Sequence, residues 1–116
     1  MSEKIWFSIL GSSSAAADFY VPVPLRCTIL GMQAACSADP GDAETITLAS
    51  GSNTIGVLTF GSTIAAGAVG TYAADATHGN DVLAAGGVLK LTITQLTAAA
   101  TFCGYIEFDQ FACTVQ

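Results

Sequence analysis

The amino-acid sequence predicts an all-β single domain, a jelly-roll or β-sandwich of about eight short antiparallel strands. Two observations carry this. Apolar and polar residues alternate with a period of two in several segments. Gly, Pro, Asn and Ser interrupt those segments at short intervals. Charge is scarce as well: Lys and Arg total 3 and Asp and Glu total 9 among 116 residues. That is 10% of the chain, against about 25% in ordinary soluble domains.

Lys4-Ile-Trp-Phe-Ser-Ile-Leu10 is aromatic and β-branched and ends at Gly11-Ser-Ser-Ser14, as a strand closed by a turn does. Residues 1–17 therefore form a first strand or an N-terminal arm, with a short helical turn at 15–19 as the alternative for the Ala run. Asp18–Pro24 is extended, and its two prolines confine it to a sheet edge. Leu25–Leu30 reads as a more regular strand, and Asp39-Pro-Gly-Asp42 as a strong turn. In Glu44–Ala49, Ile46 and Leu48 share one face and Thr45 and Thr47 the other. Gly51-Ser-Asn53 links this segment to Thr54–Phe60 as a hairpin. A weaker Gly/Ala strand is predicted from Ala68 to Tyr72, then a polar loop at His78–Asp81. Val88–Thr94 alternates Leu89, Leu91 and Ile93 with Lys90, Thr92 and Thr94. The last strand, Thr101–Phe111, sets Phe102, Gly104, Ile106 and Phe108 on one face and Tyr105, Glu107 and Asp109 on the other.

Composition excludes several functions. Lys4, Arg26 and Lys90 are the only cations and lie far apart. Binding to nucleic acid phosphates, or to an anionic membrane, needs several cations acting together. Residues 45–74 carry no charge, yet glycines at 51, 56, 61, 67 and 70 break them up. They read as β-structure rather than a spanning helix. No leader segment is expected from Met1-Ser-Glu-Lys, because Gly11-Ser-Ser-Ser14 interrupts any apolar run. An area scaling for 11.7 kDa gives roughly 5,900 Å² of accessible surface, and neutral residues must cover most of it. Either hydroxyls and a net charge of −6 keep a monomer in solution, or other chains bury part of that surface. The second reading is preferred.

No catalytic, cofactor or metal site is expected. His78 is the only histidine and sits in a polar loop without a partner or an orienting group. Cys27, Cys36, Cys103 and Cys113 contain no CxxC. Cys27 and Cys103 read as small buried thiols, and Cys36 and Cys113 lie near strand ends where pairing is open. Four free thiols are the expectation for a reducing host compartment. Asp39, Asp42 and Glu44 surround a turn but lack the spacing of a calcium loop. Glu107 and Asp109 read as the solvent face of a strand rather than a glycosidase pair. Ala84-Ala-Gly-Gly87 lacks the Lys-Ser/Thr of a phosphate loop. Trp6, Phe19, Tyr20 and Tyr105 are the exposed-aromatic candidates for an interface or for stacking on sugars.

Three segments together carry a resemblance. They are Phe19-Tyr-Val-Pro-Val-Pro-Leu-Arg-Cys-Thr-Ile29, the hairpin Thr45-Ile-Thr-Leu with Thr54-Ile-Gly-Val-Leu-Thr-Phe60, and Val82-Leu-Ala-Ala-Gly-Gly-Val-Leu-Lys-Leu-Thr-Ile-Thr94. Over most of residues 19 to 111 the pattern of alternation and turns resembles the small capsid decoration, or cement, proteins of tailed bacteriophages. The resemblance implies a homotrimeric virion protein, made in the host cytoplasm, that binds the major capsid protein on the outer shell. It assigns no role to the four cysteines and no capsid-contacting residue. The alternative is a head-fibre or carbohydrate-binding β-sandwich module using Trp6, Tyr20 or Tyr105.

Overall fold

The structure is a computed structural model. It describes residues 2–12, 15–22, 27–41, 43–51, 53–61, 64–75, 82–83, 87–94 and 96–110, with the backbone alone at 2, 82, 83 and 110. The described residues contain nine strands and no helix. They are β1 (Ser2–Gly11), β2 (Ala17–Pro22), β3 (Cys27–Cys36), β4 (Glu44–Ser50), β5 (Asn53–Phe60), β6 (Thr71–Ala74), β7 (Val82–Leu83), β8 (Val88–Ile93) and β9 (Ala100–Gln110). One sheet has the order β1-β9-β3-β7 and the other β2-β8-β4-β5-β6. All pairings are antiparallel.

The pairings are nested: β1 with β9, β2 with β8, β3 with β7, and β4 with β5. A long hairpin folded across two sheets produces this nesting, and it defines the jelly roll. β6 is an addition at the β5 edge. Apart from β4, β5 and β6, which stay in one sheet, successive strands cross between sheets, and each packed strand buries one face against the other layer, so alternation follows except at the bulges. In β8, Leu89, Leu91 and Ile93 are fully buried, while Lys90 and Thr92 are half-buried on the opposite face. In β9, Phe102, Gly104, Ile106 and Phe108 face inward. Phe60 of β5 meets Phe102 of β9 across the layers, with ring centroids 5.0 Å apart, at the centre of a continuous apolar core. Burying each such side chain contributes about 1.5–3 kcal/mol.

The central hairpin forms as the alternation predicts, with Gly51 at φ 61° in its turn. A register shift between Leu48 and Ala49 turns both residues inward. The uncharged stretch from 45 to 74 supplies β4, β5 and β6. β1 pairs with β9 over its full length, so the first-strand reading of residues 2–11 is the observed one. Ala17 already belongs to β2, and no helical turn forms at 15–19.

Two other expectations are corrected. β3 does not stop at Leu30 but runs on through Gly31-Met-Gln-Ala-Ala-Cys36. A bulge between Ile29 and Gly31 restores the alternation there. The strand predicted from Ala68 to Tyr72 begins instead at Thr71, and residues 67–70 lie along the end of β3. Arg26, Asp42, the polar loop expected at His78–Asp81, and Cys113 lie outside the described residues.

Candidate interaction face

Strand parity and register together set what each sheet presents outward. On the four-stranded sheet, β1 contributes Lys4, Trp6, Ser8 and Leu10, all exposed. Their register partners on β9 are Glu107, Tyr105, Cys103 and Thr101. The next column is β3, which sets Gln33 beside Tyr105 and Ala35 beside Cys103. Leu30, at the bulge, and Val69, bridged to Ala35, complete the face, and both are exposed.

This arrangement gathers large apolar side chains from distant parts of the chain. Trp6 is 70% exposed, and its ring meets that of Tyr105 edge-on at 5.1 Å. The Lys4 ammonium sits 5.3 Å from the centre of the Tyr105 ring, close enough for a cation–π attraction. The Ser8 hydroxyl and the Cys103 thiol are 3.4 Å apart. Gln33 turns its side-chain oxygen back to accept from the Ala34 amide at 2.9 Å. Four large apolar side chains are thus exposed on one face, among Lys4, Ser8, Gln33, Thr101 and Glu107, and exposed apolar groups of this size favour a partner or ligand that covers them.

The other sheet differs. Its outer face carries Thr45, Thr47, Thr59, Thr71 and Thr92 with Val57 and Ala73. Asp18 accepts from the Thr92 hydroxyl at 2.7 Å. At its β2 edge Tyr20 is 64% exposed, with Lys90 as its register partner, and Val88 is exposed opposite Pro22. Phe19, one residue over, points the other way and is half-buried against the core. The four aromatic candidates therefore divide. Trp6 and Tyr105 come together, Tyr20 stands apart on the other sheet, and Phe19 is not an exposed aromatic.

The thiols divide too. Cys27, Cys36 and Cys103 are free. Cys27 and Cys36 are buried, and burial pushes the Cys27 thiol above its ordinary range. The Cys36 thiol donates to the Ala38 carbonyl at 2.7 Å. Cys103 is exposed, contrary to its reading as a buried thiol, because Phe102 and Gly104 take the inward positions on either side.

The carboxylates near the turn at 39–44 are occupied separately. Asp39 accepts from the Gly41 amide at 2.9 Å, closing an Asx turn in which Gly41 takes φ 91°. Glu44 is the one buried charged residue among those described, and it accepts from the Thr94 hydroxyl. Its parity with Ile46 and Leu48 was the sequence signal for that burial. Among the described residues, no three His, Cys, Asp or Glu side chains come together to hold a metal ion. Comparison with protein-family models, with curated proteins and with solved structures finds no match to this chain.

Proposed function

We propose that the chain is a structural virion protein that decorates and cements the outer surface of an assembled phage shell as an oligomer. The observation that carries this reading is the apolar outer face of the four-stranded sheet, with Trp6, Leu10, Leu30 and Val69 exposed on a charge-poor jelly roll. The sequence resemblance to capsid decoration proteins supports it. Jelly rolls occur in viral capsid proteins and in lectins alike, so the fold favours neither over the other. The mechanism is mass action: a protein that binds only the assembled, expanded shell stabilises that state by its binding free energy at every site.

The test is co-sedimentation of the purified chain with expanded and with unexpanded shells of the phage that encodes it. Saturable binding to expanded shells alone, weakened by Leu30→Asp, is the expected result. A chain that stays in the supernatant with both shells refutes the reading.

The paired rings of Trp6 and Tyr105, beside the side chain of Gln33, favour a second reading as a carbohydrate-binding module. An exposed indole face stacks on sugar rings, and neighbouring amides bond their hydroxyls. A glycan array on which binding is lost with both Trp6→Ala and Tyr105→Ala, but kept with Tyr20→Ala, selects this reading.

A further inference from the structure

We infer that a second copy of this chain pairs antiparallel with the free edge of β1. The two sheets present four outer edges, and three are blunted or covered by the chain itself. β7 has only two residues, and at the far end of β3 the chain covers the edge at Ala34–Cys36. There Gly70 N donates to Ala34 O at 3.2 Å, Cys36 N to Ala68 O at 2.9 Å and Gly67 N to Cys36 O at 2.7 Å. β6 has four residues, and β2 ends in Pro22, which has no N–H to offer.

β1 has none of these protections. It is ten residues long, contains no proline, carries no charge from Ile5 to Gly11, and among the described residues pairs with a strand on one side only. Both of its faces carry large apolar side chains. Trp6 and Leu10 are exposed outward, and Ile5 and Phe7 pack on the core but are only partly covered. Phe19 and Val21 of β2, the edge strand of the facing sheet, are likewise half-covered. A long apolar edge of this kind templates uncontrolled pairing unless a specific partner occupies it. A strand added to β1 supplies its own Ile5 and Phe7 to cover those side chains.

The charge pattern points to a second copy as that partner and sets its direction. The chain has a net charge of −6, so most surfaces of two copies repel, yet no carboxylate occurs between Glu3 and Asp18. Antiparallel pairing centred on Phe7 sets Phe7 against Phe7, Ile5 against Ile9, and Trp6 against Ser8 of the second copy. The two Glu3 residues then lie roughly 27 Å apart at about 3.4 Å per residue. That is well beyond the ~8–10 Å screening length of physiological salt. Parallel pairing would set them side by side. This contact stands apart from the shell reading: the resemblance implies three copies, whereas the strand edges specify two.

Sedimentation equilibrium of the full chain under reducing conditions tests the inference, with amide exchange as a second measurement. The expected particle has twice the 11.7 kDa chain mass, and β1 amides become more protected as concentration rises. Trp6 and Ser8 are exposed and point outward, so Trp6→Lys with Ser8→Lys leaves the core intact while opposing lysines across the contact. The double variant is expected to keep the β spectrum and to dimerise about tenfold more weakly or worse. A monomer or a trimer, a dimer whose β1 amides exchange freely, or a dimer indifferent to the double substitution each overturns it. A trimer that still binds expanded shells overturns the β1 contact and leaves the shell reading intact.

Discussion

Cys27 and Cys103 show how strand parity, rather than residue type, assigns chemistry in this chain. Both are small thiols on long strands, yet Cys27 is fully buried and Cys103 lies open beside Ser8. A thiol-reactive probe on the native protein, mapped by mass spectrometry, is expected to modify Cys103 at least tenfold faster than Cys27 or Cys36, because reaction needs an accessible thiolate. Equal rates at Cys103 and Cys27 would mean that β9 does not present this face.

Cys27 also gives a pH dependence. Burial raises its pKa above the ordinary 9.0, so the folded state holds a proton that the unfolded chain has released. The stability it contributes is complete below about pH 9 and is lost as the pH rises through the folded value, at most about 1.4 kcal/mol per pH unit. Urea unfolding from about pH 9 to 11 should show a steeper loss for the natural chain than for Cys27→Ala. Parallel curves would remove Cys27 as the cause. The same parity buries Glu44 and turns Phe19 inward. Phe19 was expected exposed and Glu44 at a turn, and the signals that pointed the other way were Val21 beside Phe19 and Ile46 and Leu48 beside Glu44.

At the level of elements, β9 organises the four-stranded sheet, pairing with β1 on one side and β3 on the other. Gly104 lies where β9 and β3 come closest. A Cβ there would sit 1.9 Å from the Gln33 carbonyl oxygen and 2.6 Å from the Ala34 Cα, both backbone atoms. Gly104→Ala therefore has to push two paired strands apart, and overpacking of this kind costs about 1–3 kcal/mol. Chemical denaturation measures it, and an unchanged midpoint would place β3 farther from β9. Strands with β-branched or leucine-rich alternation (β4, β5, β8 and β9) were legible from residue pattern alone. The second half of β3 was not, because Gly31, Gln33, Ala34 and Ala35 have little intrinsic preference for strand. They are extended because β9 pairs with all of them on one side and residues 67–70 hold Ala34 and Ala35 on the other. The Trp6–Tyr105 contact was equally hidden, since it depends on the register between the first and last strands.

For the whole molecule, the accessible surface is 5930 Å², close to the roughly 5,900 Å² expected for a compact monomer of this mass. A surface of ordinary size with a charged-residue content of 10% has to rely on neutral side chains. Its two faces do so differently: one is hydroxyl-rich through its threonines, and the other is apolar around Trp6, Leu10, Leu30 and Val69. The jelly roll was legible in the sequence as a class, from short alternating strands and frequent turns. Which strands become edges was not, apart from the Pro-marked β2, because edges follow from the nested long-range pairing. In the proposed function the chain covers this face on an assembled shell, which is tested by the disassembly temperature of expanded shells with the chain titrated in. A rise that saturates with chain concentration is expected, and a smaller rise with Leu30→Asp. A disassembly temperature that stays the same at saturating chain would contradict it.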